Sequence, residues 1–168
     1  MITLTPATMD DLPALEPIDK ECDAYFLFDP TCEENHSCPL AECLTVGDLP
    51  PGGVRENYYF YCIRQEDTLI GFLAYYLGYP EKDAAYLSVL YIAEAYRRRG
   101  IGAEALAAAT QMLLDAHMRG IRLHVSLRNV TALRFWVRQG FDRIMGVECH
   151  GNLLPGTFAG IELMKEIT

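Results

Sequence analysis

Arg97-Arg98-Arg99-Gly100-Ile101-Gly102 is the stretch of this chain whose residue types point most directly at chemistry. It lies between an apolar run, Tyr86 to Ile92, and an alanine-rich run from Ala103 to Arg119. Three arginines at the N-terminal end of a helix oppose the helix dipole, which favours negative charge there. An anion docked on the same spot relieves that conflict. Glycines let the backbone approach it, the free N–H groups of the first helical turn face it, and the arginines neutralise a polyphosphate.

The elements that must position this run follow from periodicity. Residues 86–92 predict a buried strand. Residues 101–119 predict a helix with Leu106, Ala109, Leu113 and Ala116 on one stripe and Gly120 as its stop. Near the start, Ile2 to Thr5 predicts a short strand, and Asp10 or Thr8 caps a helix bearing Leu12, Leu15 and Ile18. Pro17 is expected to kink or break that helix. Residues 29–53, rich in proline and containing Gly52-Gly53, predict a short helix between loops. Runs at 58–64 and 69–77 predict a hairpin across Gln65 to Thr68, and a turn at 78–83 leads to a strand at 85–92. A strand at 121–127, a helix at 130–139 stopped by Gly140, and strands near 141–148 and 159–166 complete the chain. This order predicts a mixed α/β sheet with at least one right-handed parallel crossover, in a single domain over residues 1–168.

Half of the residues are hydrophobic (51%), which suits a globular core, and no run of 18 apolar residues exists. Without a basic leader at the start, a cytoplasmic protein with no membrane association is expected. The cysteines at 22, 32, 38, 43, 62 and 149 are therefore read as buried thiols rather than disulfides. Net charge is −9, and residues 1–50 hold eleven acids against Lys20 alone. That asymmetry argues against nucleic acid as a partner. It either solubilises an exposed helix or makes one side of the molecule attractive to cations.

Arg97-x-x-Gly100-x-Gly102 after a strand resembles the acyl-CoA signature of the GCN5-related N-acetyltransferase (GNAT) superfamily. A second block, Asn129-x-x-Ala132-x-x-Phe135-Trp136-x-x-x-Gly140-Phe141, resembles the next block of that family, and the terminal Ile161-Glu-Leu-Met-Lys165 strand also fits. The resemblance implies a mostly antiparallel central sheet flanked by helices, in which parallel fourth and fifth strands splay apart. It implies acetyl-CoA as cosubstrate and an amine acceptor. Main-chain groups of Leu90, Tyr91 and Ile92 would pair with the pantetheine arm, and amides from Arg98 through Arg99, Gly100, Ile101 and Gly102 to Ala103 would hold the pyrophosphate, beside Arg97. Asn129 would hydrogen-bond the pantetheine, with Ala132 and Phe135 packing on it. Asn129 also reads as a helix N-cap.

The implied reaction moves an acetyl group from a thioester to an amine, with the Ile92 amide stabilising the oxyanion. Two positions depart from the family pattern. Its usual acid, a tyrosine, is replaced by Trp136, which also reads as a core aromatic on a Leu133–Trp136–Val137 face. Its usual Glu or His base positions hold Tyr86 and Ser88, which share a strand face by the two-residue period and could order a water. Packing is the competing role for both. A non-catalytic acyl-CoA sensor of the same fold is the alternative function. Cys32, His36, Cys38 and Cys43 suggest zinc only weakly, lacking a Cys-x-x-Cys pair, and no metal is expected. His124 reads as a sheet histidine, Glu94 as a solvated loop residue, and His150 as a possible border of the acceptor. The acidic first helices suggest a cationic acceptor such as a polyamine, a basic amino acid or a peptide N-terminus. The resemblance also allows a homodimer, for which the sequence identifies no interface.

Overall fold

In the computed structural model the aromatic and β-branched runs form the expected hairpin, β2 (Tyr58–Gln65) and β3 (Thr68–Leu77). The structure describes residues 1–26, 38–149 and 159–168. Their remaining elements are β1 (Thr3–Pro6), α1 (Leu12–Phe26), α2 (Leu40–Thr45), β4 (Ala84–Ile92), α3 (Ile101–Asp115), β5 (Gly120–Ser126), α4 (Val130–Arg138), β6 (Arg143–Cys149) and β7 (Ala159–Glu166). The strands make one seven-stranded sheet in the order β1-β2-β3-β4-β5-β7-β6. Every pairing is antiparallel except β4 with β5. This is the mixed sheet that the order of runs predicts, with α3 as the crossover.

Alternation along the strands divides the core in two. On one face α3 and α4 bury Leu106, Leu113, Trp136 and Phe141 against Ile63, Leu73, Leu87, Leu123 and Leu163. On the other, α1 and α2 bury Leu15, Ile18, Cys22, Leu40 and Leu44 against Phe60, Cys62, Phe72 and Tyr76. That second cluster covers β2 to β4. It does not include residues of β5, β7 or β6, whose side chains on this face are largely polar.

Two local expectations, at Pro17 and Gly120, need correction, and the choice between Thr8 and Asp10 is decided. Pro17 neither breaks nor ends α1, which runs from Leu12 through Phe26. The lost N–H bond costs less than burying Leu15, Ile18 and Cys22 on either side of it contributes. Thr8, not Asp10, begins the helical segment, in a capping box where its N–H and hydroxyl donate to the Asp11 carboxylate at 2.9 and 3.1 Å. Gly120 does not stop α3. The stop is His117 at φ 63°, with Met118 N–H donating to Leu113 O and His117 N–H to Leu114 O, which is the Schellman pattern on a non-glycine residue. Gly120 instead opens β5. At α4 the expected stop does hold, with Gly140 at φ 89° and Phe141 N–H on Trp136 O at 3.1 Å.

Of the cysteines, Cys22, Cys43 and Cys62 are buried, Cys38 is half-buried, and these four are free thiols. Burial pushes the Cys62 thiol up to about 11, as desolvation disfavours thiolate. Among the described residues no helix is long and apolar enough to cross a membrane.

Candidate active site

The parallel pairing of β4 with β5 is short: Ala84 with Gly120, Ala85 with Ile121, and Tyr86 with Arg122. Beyond Tyr86 the two strands diverge, so the far half of β4 has a ladder partner only on its β3 side. Ala93 N–H donates to Ile70 O at 2.8 Å on that side. Antiparallel ladders alternate, so Tyr91 also faces β3 while Leu90 and Ile92 turn their main-chain groups into the opening. Of the three residues expected to line it with backbone, Tyr91 therefore does not. Its ring lies in the core, stacked on Phe72 at 5.8 Å, and burial pushes its phenol up to about 12 despite Arg97.

The opening leads to the start of α3. Arg98 (φ 61°) and Gly100 (φ 81°) both adopt the left-handed conformation, and no neighbour lies within 4 Å of where a Gly100 Cβ would sit. Such alternation turns consecutive N–H groups to one side and forms an anion-binding nest. Ile101 and Gly102, the first two residues of α3, have no intrahelical acceptor for their N–H groups. Ala103 differs, since its N–H donates to Gly100 O at 3.0 Å. The arginines also divide. Arg97 donates from Nε to Ile92 O at 2.8 Å and lies over the Tyr91 ring, 4.7 Å from its centre, so it braces the turn. Arg99 lies over Tyr96 at 5.6 Å, while Arg98 is exposed.

Helix α4 closes the other wall. Asn129 caps it, its Oδ1 accepting from Ala132 N–H at 3.0 Å, so the N-cap reading is correct. Phe135 touches α3 where Gly102 lacks a side chain, at 3.4 Å from the position of a Cβ. Trp136 is a core residue, edge-on to Phe135 at 4.8 Å and to Phe141 at 5.2 Å. Val137, expected beside it, is exposed instead.

Tyr86 and Ser88 are not equivalent. Ala74 pairs with Val89 and Tyr75 with Leu87, which leaves Ser88 as the extra residue of a β-bulge. The alternation meant to place both on one face is interrupted at Ser88 itself. Ala85 and Leu87 pack on the α3 side, and past the bulge so do Leu90 and Ile92. Ser88 is exposed and its hydroxyl donates to Ala74 O at 3.2 Å. Tyr86 is half-buried beside the vertex of the opening. Its phenol is pushed up to about 12, first by burial and then by Glu162, Tyr79 and Glu148, against Arg122.

Sequence reading missed most of what surrounds Tyr86. Buried Arg122 donates to Glu162 at 2.9 Å and to Glu81 at 3.1 Å, fastening the sheet at its last β4–β5 pair. His124, set aside as a sheet histidine, lies next along this face, 3.7 Å from Glu148 on β6 and opposite Glu162 on β7. The alternation of Arg122 and His124 with Ile121, Leu123 and Val125 was the available signal. Glu94 is exposed, and its N–H donates to Glu21 of α1 at 2.9 Å. His150, Cys32 and His36 lie outside the described residues.

Comparison with known proteins agrees with this geometry. The chain is 28% identical over 108 residues to human spermidine/spermine N(1)-acetyltransferase-like protein 1, covering 58% of this chain and 16% of that much longer protein. It superposes on Arabidopsis thaliana NAA60, solved with a bisubstrate analogue, over 100% of both chains with a TM-score of 0.69 at 19% identity. The PaiA N-acetyltransferase of Thermoplasma acidophilum, in complex with coenzyme A, matches over 99% of both chains with the same TM-score and identity. The model of the acetyltransferase (GNAT) family matches residues 18–141, most of the chain and all of the β4–α3–β5–α4 unit just described, and this protein belongs to that family.

Proposed function

We propose that this acetyltransferase carries the acetyl group of acetyl-CoA to a primary amine by direct attack in a ternary complex. The observation that carries the reading is the β4–β5 opening, which ends in an anion nest. Leu90 and Ile92 offer backbone to a pantetheine arm, and the amides from Arg98 to Gly102 offer donors to a pyrophosphate. Asn129, Ala132 and Phe135 wall it. The Ile92 N–H, turned into the opening, is the donor assigned to the oxyanion in this scheme. Because the Tyr86 phenol stays protonated through the neutral range, its role in this scheme is to donate a hydrogen bond or hold a water, not to act as base. His124, next along the same face, is the neighbouring imidazole in this scheme.

A cationic amine is the proposed acceptor. The face of β5, β7 and β6 that α1 and α2 leave uncovered carries Glu148 and Glu162, and α1 beside it is acidic. The spermidine/spermine name of one relative agrees with that charge. Release of free thiol from acetyl-CoA should be measured with spermidine, lysine, a peptide N-terminus, and neutral and acidic amines. Turnover is expected with the cationic amines, and preference for acidic ones would overturn the charge argument. Core burial of Trp136, where the family tyrosine would stand, favours a second reading, an acyl-CoA sensor. That reading predicts tight binding and no product with any amine.

A further inference from the structure

Cys22, Cys38, Cys43 and Cys62 have no part in the scheme above, and they differ in where they stand. Cys22 and Cys62 are buried in the core beneath α1. Cys38 is half-buried where the chain enters α2, and Cys43 lies one turn into that helix. Pro39 is the N-cap of α2, so Cys38 holds the position just before the cap and Cys43 the fourth helical position. Side chains at those two places meet, and apolar residues there form a hydrophobic staple. Here the staple is made of thiols. The Cys43 thiol donates to Cys38 O at 3.0 Å, and the two sulfurs lie within hydrogen-bonding reach of each other. Pro39 O accepts from the N–H groups of Glu42 and Cys43 at 2.7 and 2.9 Å, which fixes the turn between them.

We propose that Cys38 and Cys43 are a redox-reactive pair that closes a reversible disulfide by exchange with a small disulfide of the glutathione class. Exposure sets the order of events. Cys38 is the member that solvent reaches, while Cys43 is 8% exposed and its thiol lies against the Tyr58 hydroxyl. The Cys38 thiolate attacks one sulfur of the oxidised reagent. The new S–S bond keeps half of the reagent on Cys38, and the other half leaves as a thiolate. Cys43 then gives up its proton and attacks the Cys38 sulfur, and the second half departs. Both thiol protons end on the two reduced reagent molecules, so two cysteines are oxidised as one reagent disulfide is reduced. Burial disfavours thiolate at Cys38, and the Cys43 thiol works against that by donating to the sulfur. The second step needs no encounter, because the resolving sulfur already stands beside the first. The bridge ties the first turn of α2 to the chain that enters it, on the face of the sheet opposite α3.

Incubation of the folded protein with excess oxidised glutathione tests this, followed by alkylation, cleavage after glutamate and mass spectrometry, with thermal unfolding recorded for each variant. Cleavage at Glu34 and Glu42 separates Cys38 from Cys32 and from Cys43, so only a bridge keeps their fragments joined. Wild type should lose the Cys38 and Cys43 thiols, keep no glutathione on either, and regain both with dithiothreitol. Cys43→Ser should stop at the mixed disulfide on Cys38. Cys38→Ser should leave Cys43 reduced at least about tenfold longer than in wild type, and buried Cys22 and Cys62 should lag wild-type Cys38 by a similar factor. Cys43→Ala repeats the trapping test if the serine variant unfolds. Four results would overturn the proposal: both thiols still reduced in folded protein, a bridge to another cysteine in place of this one, a folded Cys43 variant that takes up no glutathione at Cys38, or a Cys43 thiol lost as fast without Cys38.

Discussion

The groups proposed to hold the donor and those proposed to meet the acceptor are assembled in opposite ways. The first lie mainly between Leu90 and Gly102, in one strand, one turn and one helix start, with the start of α4 as a wall, and they are mostly backbone. The second, Tyr86, Arg122, His124, Glu148 and Glu162, come from four strands and are all side chains. Backbone geometry tolerates most substitutions so long as the turn survives, whereas the polar face depends on each residue and on strand register. One family can thus keep a donor site while the acceptor face varies.

Charge placed in the nest should separate the two regions most strongly. Gly100→Asp has room for its side chain and keeps a helix-capping residue, so stability should change by about 1 kcal/mol. A carboxylate there should weaken acetyl-CoA affinity roughly 100-fold, from like charges a few ångströms apart. Calorimetric titration checks this, and unchanged affinity would place the donor elsewhere. On the other region, Tyr86→Phe should lower kcat by about 10- to 100-fold with the acetyl-CoA KM nearly unchanged. Since burial disfavours the phenolate, Tyr86 stays protonated below its value of about 12. The pH midpoint of activity should therefore not move in this variant. A moved midpoint would make the phenol itself the titrating group.

Smaller effects sharpen the comparison. Trp136→Phe should keep kcat within about threefold while costing about 1–2 kcal/mol in denaturant unfolding, because the ring fills core between Phe135 and Phe141. A large loss of kcat at intact stability would give the indole a role in the reaction. Asp11 tests whether the acidic N-terminal segment is wholly devoted to the acceptor. Its carboxyl is held below the usual value by the Thr8 N–H, then by the Thr8 hydroxyl and Arg64, against desolvation. A carboxyl lowered in this way stabilises the fold above its unfolded value and loses that contribution as pH falls through the folded one. Asp11→Asn should thus cost about 1 kcal/mol at neutral pH. The difference should vanish in acid, and the KM for amines should stay unchanged.

The same contrast explains what could be read from the residues in order. The donor region is local, so strand, Gly-rich turn and helix announce themselves through Gly100, Gly102 and the Asn129 cap. What escaped there was orientation. Tyr91 faces β3, and Arg97 binds Ile92 O instead of standing free, because ladder alternation and turn geometry decide both. The acceptor face was hardly legible. Glu162 meets Arg122 across 40 residues of sequence, and a bulge at Ser88 broke the period used to pair it with Tyr86. Of the acids in the first fifty residues, Asp11 and Glu21 turn out to make bonds within the fold, a use that counting charges does not reveal.

Amide hydrogen exchange with and without coenzyme A, resolved by residue, tests the donor site most directly. Exchange at Ile92 and Gly102 should slow by about tenfold or more relative to Ala103, whose N–H is already bonded to Gly100 O. Protection confined to the Arg122–His124 face, or none at Ile92, would contradict the assignment of the β4–β5 opening as the place where acyl-CoA is held.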